Sequence, residues 1–406
     1  MKKINGGICA AKGFKASGVH CGIRKNRTKK DLALIMSDTK AAAACTYTQN
    51  LVKGAPLVVT KANIADGYAK AIICNSGNAN TCNADGIEIA EKMCLALANE
   101  AGIDKTDVIV GSTGVIGQPL DVSVIEAGIP SLVANLGNGE SDASDAAEAI
   151  MTTDTVKKEI AVSFEIGDVE CRMGGIAKGS GMIHPNMATM LVYITTDCAI
   201  TPEMLRKALS EDIKTSFNMI SVDGDTSTND MCAVLANGAA GNKEITAEGE
   251  DFDTFAEALH TITVALCRMI AADGEGATKL LECITTGGTD YQTAATVAKS
   301  VICSSLLKAA MFGADANWGR VLCAIGYSGA AVDVNKIDVS FESAAGRIDV
   351  CVDGMGIEFS EEVAKEVLTQ SEIKILVDLK SGDASATAWG CDLTYDYVKI
   401  NGDYRT

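Results

Sequence analysis

A threonine delivered by a glycine-loosened loop to the head of a buried strand is a candidate nucleophile. Lys178-Gly-Ser-Gly-Met-Ile-His-Pro-Asn-Met-Ala-Thr-Met-Leu191 offers one. Gly179 and Gly181 loosen the loop, Ala188-Thr189 is a small pair, and Met190-Leu-Val-Tyr-Ile194 is an apolar run of strand length. Histidine is scarce, with only His20, His184 and His260 in the chain. His260 lies beside an apolar helical stripe and His20 in a glycine-rich segment. A Ser-His-Asp triad would therefore rest on His184 alone. A threonine at a free N-terminus needs no histidine, because its own α-amine takes the hydroxyl proton. Freeing that amine requires the Ala188–Thr189 peptide bond to break. The Thr189 hydroxyl can attack the Ala188 carbonyl, giving an ester that water hydrolyses, and the small residues permit the tight backbone this needs. Thr189 thus reads as both the point of self-cleavage and the nucleophile. Taken alone, the stretch fits an ordinary glycine loop before a strand equally well.

Acyl transfer also needs donors for the tetrahedral oxyanion. Gly111-Ser-Thr-Gly-Val-Ile-Gly117, read as a loop after the short strand Asp107–Val110, offers backbone N–H groups and the Thr113 hydroxyl. One such donor is typically worth about 3–4 kcal/mol to the transition state. Neither this loop nor Gly274-Glu-Gly-Ala-Thr-Lys279 has the spacing of a phosphate loop. For a calcium loop counted from Asp223 in the polar stretch Ser221–Asp230, the sixth and twelfth positions fall on Thr228 and Val234, where Gly and Glu are required, so calcium is rejected there. The segment is left as a polar loop without an assigned role.

These residues need a scaffold, and 406 residues can build a substantial core. Hydrophobic residues make up 47% and charged residues 22%, a globular balance. The net charge of −18 argues against nucleic acid, which demands clustered Lys and Arg. No run approaches the roughly 18 unbroken apolar residues of a membrane helix. The N-terminus lacks a signal-like apolar core, so no membrane association and a cytoplasmic location are expected. Fifteen cysteines, an odd number without a C-x-x-C pair, mostly interrupt apolar runs, as small reduced hydrophobes do. With so few histidines, no metal is expected.

Along the chain, Leu32–Met36 and Ala71–Cys74 read as strands, and Asp85–Gly102 carries a helical stripe that Gly102 stops. Asp121 opens another helix. Glu159–Phe164 and Val169–Met173 form a hairpin turned at Gly167-Asp168. Thr201-Pro202 starts a helix, and Phe255, Leu259, Ile262, Leu266 and Met269 stripe a further one. After Gly287-Gly288 the pattern changes to alternating strands around 337–341, 348–352 and 373–379, expected as an antiparallel sheet with one helix from Ser360. The expected division is residues 1–287, carrying the nucleophile and oxyanion donors, and residues 288–406.

Together, Lys30–Ile35, Asn75–Asn80, Ser112–Gly117, Met151–Thr155, Lys178–Leu191, Gly274–Lys279, Ala316–Arg320 and Asn401–Thr406 carry a resemblance that runs essentially end to end. The chain resembles the ornithine acetyltransferases, bifunctional arginine-biosynthesis proteins that pass an acetyl group from N-acetylornithine to glutamate. The resemblance implies an α+β fold with an αββα-type layered main domain and a smaller C-terminal α+β domain. It implies self-cleavage into chains 1–188 and 189–406, associated as two α and two β chains. Thr189 then accepts the acetyl group, Thr113 and Gly114 resemble the oxyanion pair, and Thr155, Lys178, Thr189, Glu275, Asn401 and Thr406 resemble substrate-binding positions. Ping-pong chemistry through acetyl-Thr189 needs no cofactor. Acetyl-CoA as a second acetyl donor is left open. Two other readings stand beside this one: an N-terminal-nucleophile amidase that passes the acyl group to water, and a ligand-binding protein without catalysis.

Overall fold

The computed structural model describes residues 1–184 and 190–402. Ala188 and Thr189, with Pro185, Asn186 and Met187, lie outside the described residues, as do Asp403 to Thr406. In chain order the strands are β1 (Lys2–Ile4), β2 (Phe14–Val19), β3 (Leu32–Tyr47), β4 (Tyr68–Asn78), β5 (Val108–Val115), β6 (Lys158–Ile166), β7 (Val169–Lys178) and β8 (Leu191–Thr196). They continue as β9 (Ile220–Ser221), β10 (Met231–Ala236), β11 (Leu280–Gly288), β12 (Asp338–Ser343), β13 (Gly346–Val352), β14 (Met355–Gly356), β15 (Glu372–Asp378) and β16 (Ala384–Cys391). Mixed sheets with interspersed helices make this an α+β protein.

The described residues form two compact units, the first drawn from Met1–Gly179, Asn186–Phe217 and Thr226–Leu266. Its nine-stranded sheet runs β1-β6-β7-β8-β10-β3-β4-β5, with β2 also on β3. The apolar runs are continuous because both faces are covered. Leu32, Leu34, Ile73 and Val110 pack under the helices Gly86–Ala101 and Val122–Ala134, while Ala33, Ile35, Ile72 and Ile109 face the alanine-rich helix Glu140–Ile150. That helix comes so near the sheet that a Cβ on Gly18 would lie 2.1 Å from the Asp145 carbonyl oxygen.

Local signals behave as their chemistry dictates. Asp121 accepts from Ser123 N and Thr201 from Met204 N, each an N-cap of about 1 kcal/mol. Gly102 closes the helix Gly86–Ala101 in the left-handed conformation. The hairpin β6–β7 turns at Gly167-Asp168 as expected. Gly111–Val115, however, is no loop. It pairs in parallel with Cys74–Asn78 as the end of β5.

Helix Glu250–Ala272 is long and apolar enough to cross a bilayer, but half of its apolar window is buried inside the protein. Phe255 meets Phe164 edge-on at 6.3 Å, and Ile262 and Leu266 press on Gly175. None of the fifteen cysteines forms a disulfide, and most are buried. Burial pushes Cys74, Cys94 and Cys283 up to about 12, where they act as small hydrophobes.

The second unit is drawn from Ser180–Pro185, Asn218–Asp225 and Cys267–Thr406. Its seven-stranded sheet runs β14-β13-β12-β15-β11-β16-β9. The three expected strands pair antiparallel in the order β13-β12-β15, and parallel pairs of β11 with β15 and of β16 with β9 make the sheet as a whole mixed. The long-chain division falls at Leu266/Cys267 rather than at Gly287-Gly288, because β11, which ends there, is a central strand of the second sheet. Ser360 caps the helix Glu361–Leu368 through Val363 N.

Candidate active site

In the first unit, sheet register gathers several chemistry-bearing residues at one group of strand ends. Lys178, last in β7, is paired with Leu191, first in β8, and Leu191 with Met231, first in β10. Met231 in turn pairs with Tyr47 of β3, and its N–H donates to the Met190 carbonyl at 2.9 Å. Leu191, two positions after Thr189 in the sequence, is thus the point where β8 begins beside Lys178. The Lys178 side chain is buried, with the residue 8% exposed, and its ammonium has no hydrogen bond or ion pair among the described residues.

Two carboxyl groups lie near that ammonium. Asp154 is fully occupied: Oδ1 accepts from Lys158 Nζ and Gly179 N, both at 2.7 Å, and Oδ2 accepts from Thr152 N at 2.9 Å. Burial alone would raise its carboxyl, but the ammonium groups of Lys178 and Lys158 outweigh burial and hold it well below the usual carboxylate range. Asp230 is 2% exposed and its Oδ2 has no partner. Here burial wins over Ser227, Lys178 and Thr48, and the carboxyl is pushed well above its ordinary value. Thr155 follows Asp154 at an exposed position.

Thr113 and Gly114 sit on β5, against Ser76 and Gly77 of β4, with a register shift at Asn78. Gly114 has φ 134°, and a Cβ there would lie 2.3 Å from the Gly77 carbonyl carbon, so only glycine fits. Asn229 fixes this strand end. Its Nδ2 donates to Ser112 O at 3.0 Å and Ala79 O at 2.5 Å, while its Oδ1 accepts from Thr81 and Thr228, each at 2.6 Å. Asn229→Ala takes a partner from four groups, of which Ala79 O and the Thr81 hydroxyl still bond each other, and should cost about 2–3 kcal/mol, read as a lowered urea midpoint. Asn229, Asp154 and Asp230 are site residues that sequence reasoning missed. Only the unexplained polarity of Ser221–Asp230 hinted at two of them.

In the second unit, Glu275 is buried and its Oε2 accepts from Asn401 Nδ2 at 2.7 Å. Its N–H donates to Ser180 O, and a Cβ on Gly181 would meet its carboxylate at 2.4 Å, so the glycine makes room for the acid. Asp223 accepts from Met182 N at 2.6 Å and Ile183 N at 2.9 Å, which gives part of the unassigned polar loop a structural role. His184 Nδ1 lies 3.0 Å from Ser221 Oγ and 3.6 Å from Cys303 Sγ. Burial, helped by the Lys299 ammonium, pushes the imidazole down to about 4, so it is neutral at pH 7. Among the described residues, no group of three or more His, Cys, Asp or Glu could hold a metal ion. The expected roles of Ala188, Thr189 and Thr406 fall outside the described residues.

Comparison with known proteins places this α+β protein among the acyltransferases. More particularly, the chain belongs to the ArgJ family, whose model matches residues 15–406. Arginine biosynthesis bifunctional protein ArgJ 1 of Clostridium acetobutylicum is 50% identical over 97% of this chain and 96% of its own length. Arginine biosynthesis bifunctional protein ArgJ of Caldanaerobacter subterraneus subsp. tengcongensis is 49% identical over 100% of both. A solved chain of arginine biosynthesis bifunctional protein argJ from Bacillus halodurans is 46% identical with a TM-score of 0.50. The match covers 52% of this chain and 98% of that one.

Proposed function

We propose that this protein moves the acetyl group of N2-acetyl-L-ornithine to L-glutamate through an ester on Thr189, after cutting its own Ala188–Thr189 bond. The observation that carries this reading is the pairing of Lys178 with Leu191. It puts a buried ammonium, without a hydrogen-bonding partner among the described residues, beside Leu191, two positions after Thr189 in the sequence. Both amino acids carry an α-carboxylate that Lys178 can take as a point charge. In the first half-reaction the Thr189 α-amine takes the hydroxyl proton, Oγ bonds to the acetyl carbon, and the C–N bond breaks. The proton leaves on the ornithine amine. In the second half the glutamate amine attacks the ester, N-acetylglutamate departs, and Thr189 regains its proton. Atoms balance without a cofactor. Thr113 and Gly114 are assigned to the oxyanion, and Thr155, Glu275, Asn401 and Thr406 keep the substrate-binding roles that resemblance gives them.

The half-length chain of the Bacillus halodurans relative supports cleavage, since residues 189–406 are just over half of this chain. The word bifunctional in the relatives' names supports a second activity, acetylation of glutamate from acetyl-CoA through the same ester. Two α and two β chains in the cytoplasm complete the proposal. The test is release of ornithine from N-acetylornithine with and without glutamate. Turnover should rise at least about tenfold with glutamate, matched by N-acetylglutamate formed. Equal release without glutamate would make the protein an amidase instead.

A further inference from the structure

The cluster at the end of β7 contains more positive charge than it neutralises. Asp154 and Lys158 are completely buried side chains joined at 2.7 Å. Asp154 also accepts from the backbone of Gly179, the residue after Lys178. Both carboxylate oxygens of Asp154 are thereby used within the protein. Lys178, itself buried, is left without a hydrogen-bonding partner among the described residues. Asp230 does not hold Lys178 either: its Oδ2 has no hydrogen-bond partner, and burial pushes its carboxyl well above the ordinary value. A buried charge without a partner is costly, so an arrangement that leaves one is a binding site for the opposite charge.

We propose that Asp154 and Lys158 are positioning residues: Lys158, with the Gly179 and Thr152 amides, fills the Asp154 oxygens, so that Lys178, close enough to be attracted to Asp154, keeps its N–H groups for a ligand carboxylate. This rests on the assignment of Lys178 to the substrate carboxylate and adds the device that keeps it available. Remove Lys158, and the buried Asp154 carboxylate has Lys178 as its remaining neighbouring ammonium. The two then pair with each other, and the ligand loses its cation. Removing the Asp154 charge as well takes away the competitor.

The experiment compares wild type, K158M and D154N/K158M, by KM and kcat for N-acetylornithine and glutamate and by calorimetric Kd for L-glutamate. K158M should raise KM and Kd about tenfold or more while kcat changes less than about threefold, and the double variant should return both to within about threefold of wild type. A merely structural role makes the double variant at least as weak as K158M. That result, or wild-type affinity in K158M, would overturn the proposal. Should K158M fail to fold, the charge-balanced double variant decides alone: near-wild-type affinity supports the device, and a tenfold loss overturns it. Wild-type turnover separately reports on the transferase reading, while glutamate affinity reads the device whether or not transfer occurs.

Discussion

Thr189→Ala is expected to run as one intact chain of 42.1 kDa on a denaturing gel and to lose transfer by at least about a thousandfold. The same hydroxyl is asked to do two things. It attacks the Ala188 carbonyl to open the chain, and it later carries the acetyl group. Alanine has no atom for either, and without cleavage the α-amine that would act as base stays locked in a peptide. Thr189→Ser keeps the hydroxyl and should still be cut. Cleavage that persists in Thr189→Ala would move the nucleophile elsewhere, and His184 with Ser221, 3.0 Å apart, would be the place to look next.

Lys178→Met is expected to lower kcat/KM for both N-acetylornithine and glutamate by about 30- to 1,000-fold, the effect of losing about 2–5 kcal/mol from a buried charge pair. Both substrates should suffer alike, because both offer the α-carboxylate. The free protein should change little in stability, since removing a buried ammonium that has no hydrogen bond among the described residues offsets the lost attraction to Asp154. A thermal melt at the wild-type temperature, with both kinetic constants collapsed, is the combined signature. An equally large loss of stability would instead make Lys178 part of the fold's own framework.

Much of this was legible in the residues. Asp121, Thr201 and Ser360 act as helix caps because their side chains satisfy the N–H groups a helix start leaves free, a purely local rule. The hairpin into Lys178 was equally local. Gly111–Val115 misled because glycine and threonine in a row look like a turn, yet β4 lies close enough that glycine is what strand pairing requires at Gly114. The mixed second sheet was hidden because alternation reveals a half-buried strand but not the direction of its neighbour. Asn229 lies 150 positions from Ala79, and Asp154 acts on Gly179 across 25, so no spacing rule could join them. Lys178 and Glu275 were named from resemblance. What the structure adds is the surroundings of each: an ammonium without a hydrogen bond among the described residues, and a carboxylate that a glycine makes room for.

The most direct test of the central claim is to expose the purified protein to N-acetylornithine without glutamate and locate the acetyl group by mass spectrometry. One acetyl group is expected on Thr189, as the first residue of a separate fragment, and it should be lost when glutamate is added. An unbroken chain, or an acetyl group carried on any other residue, would contradict it.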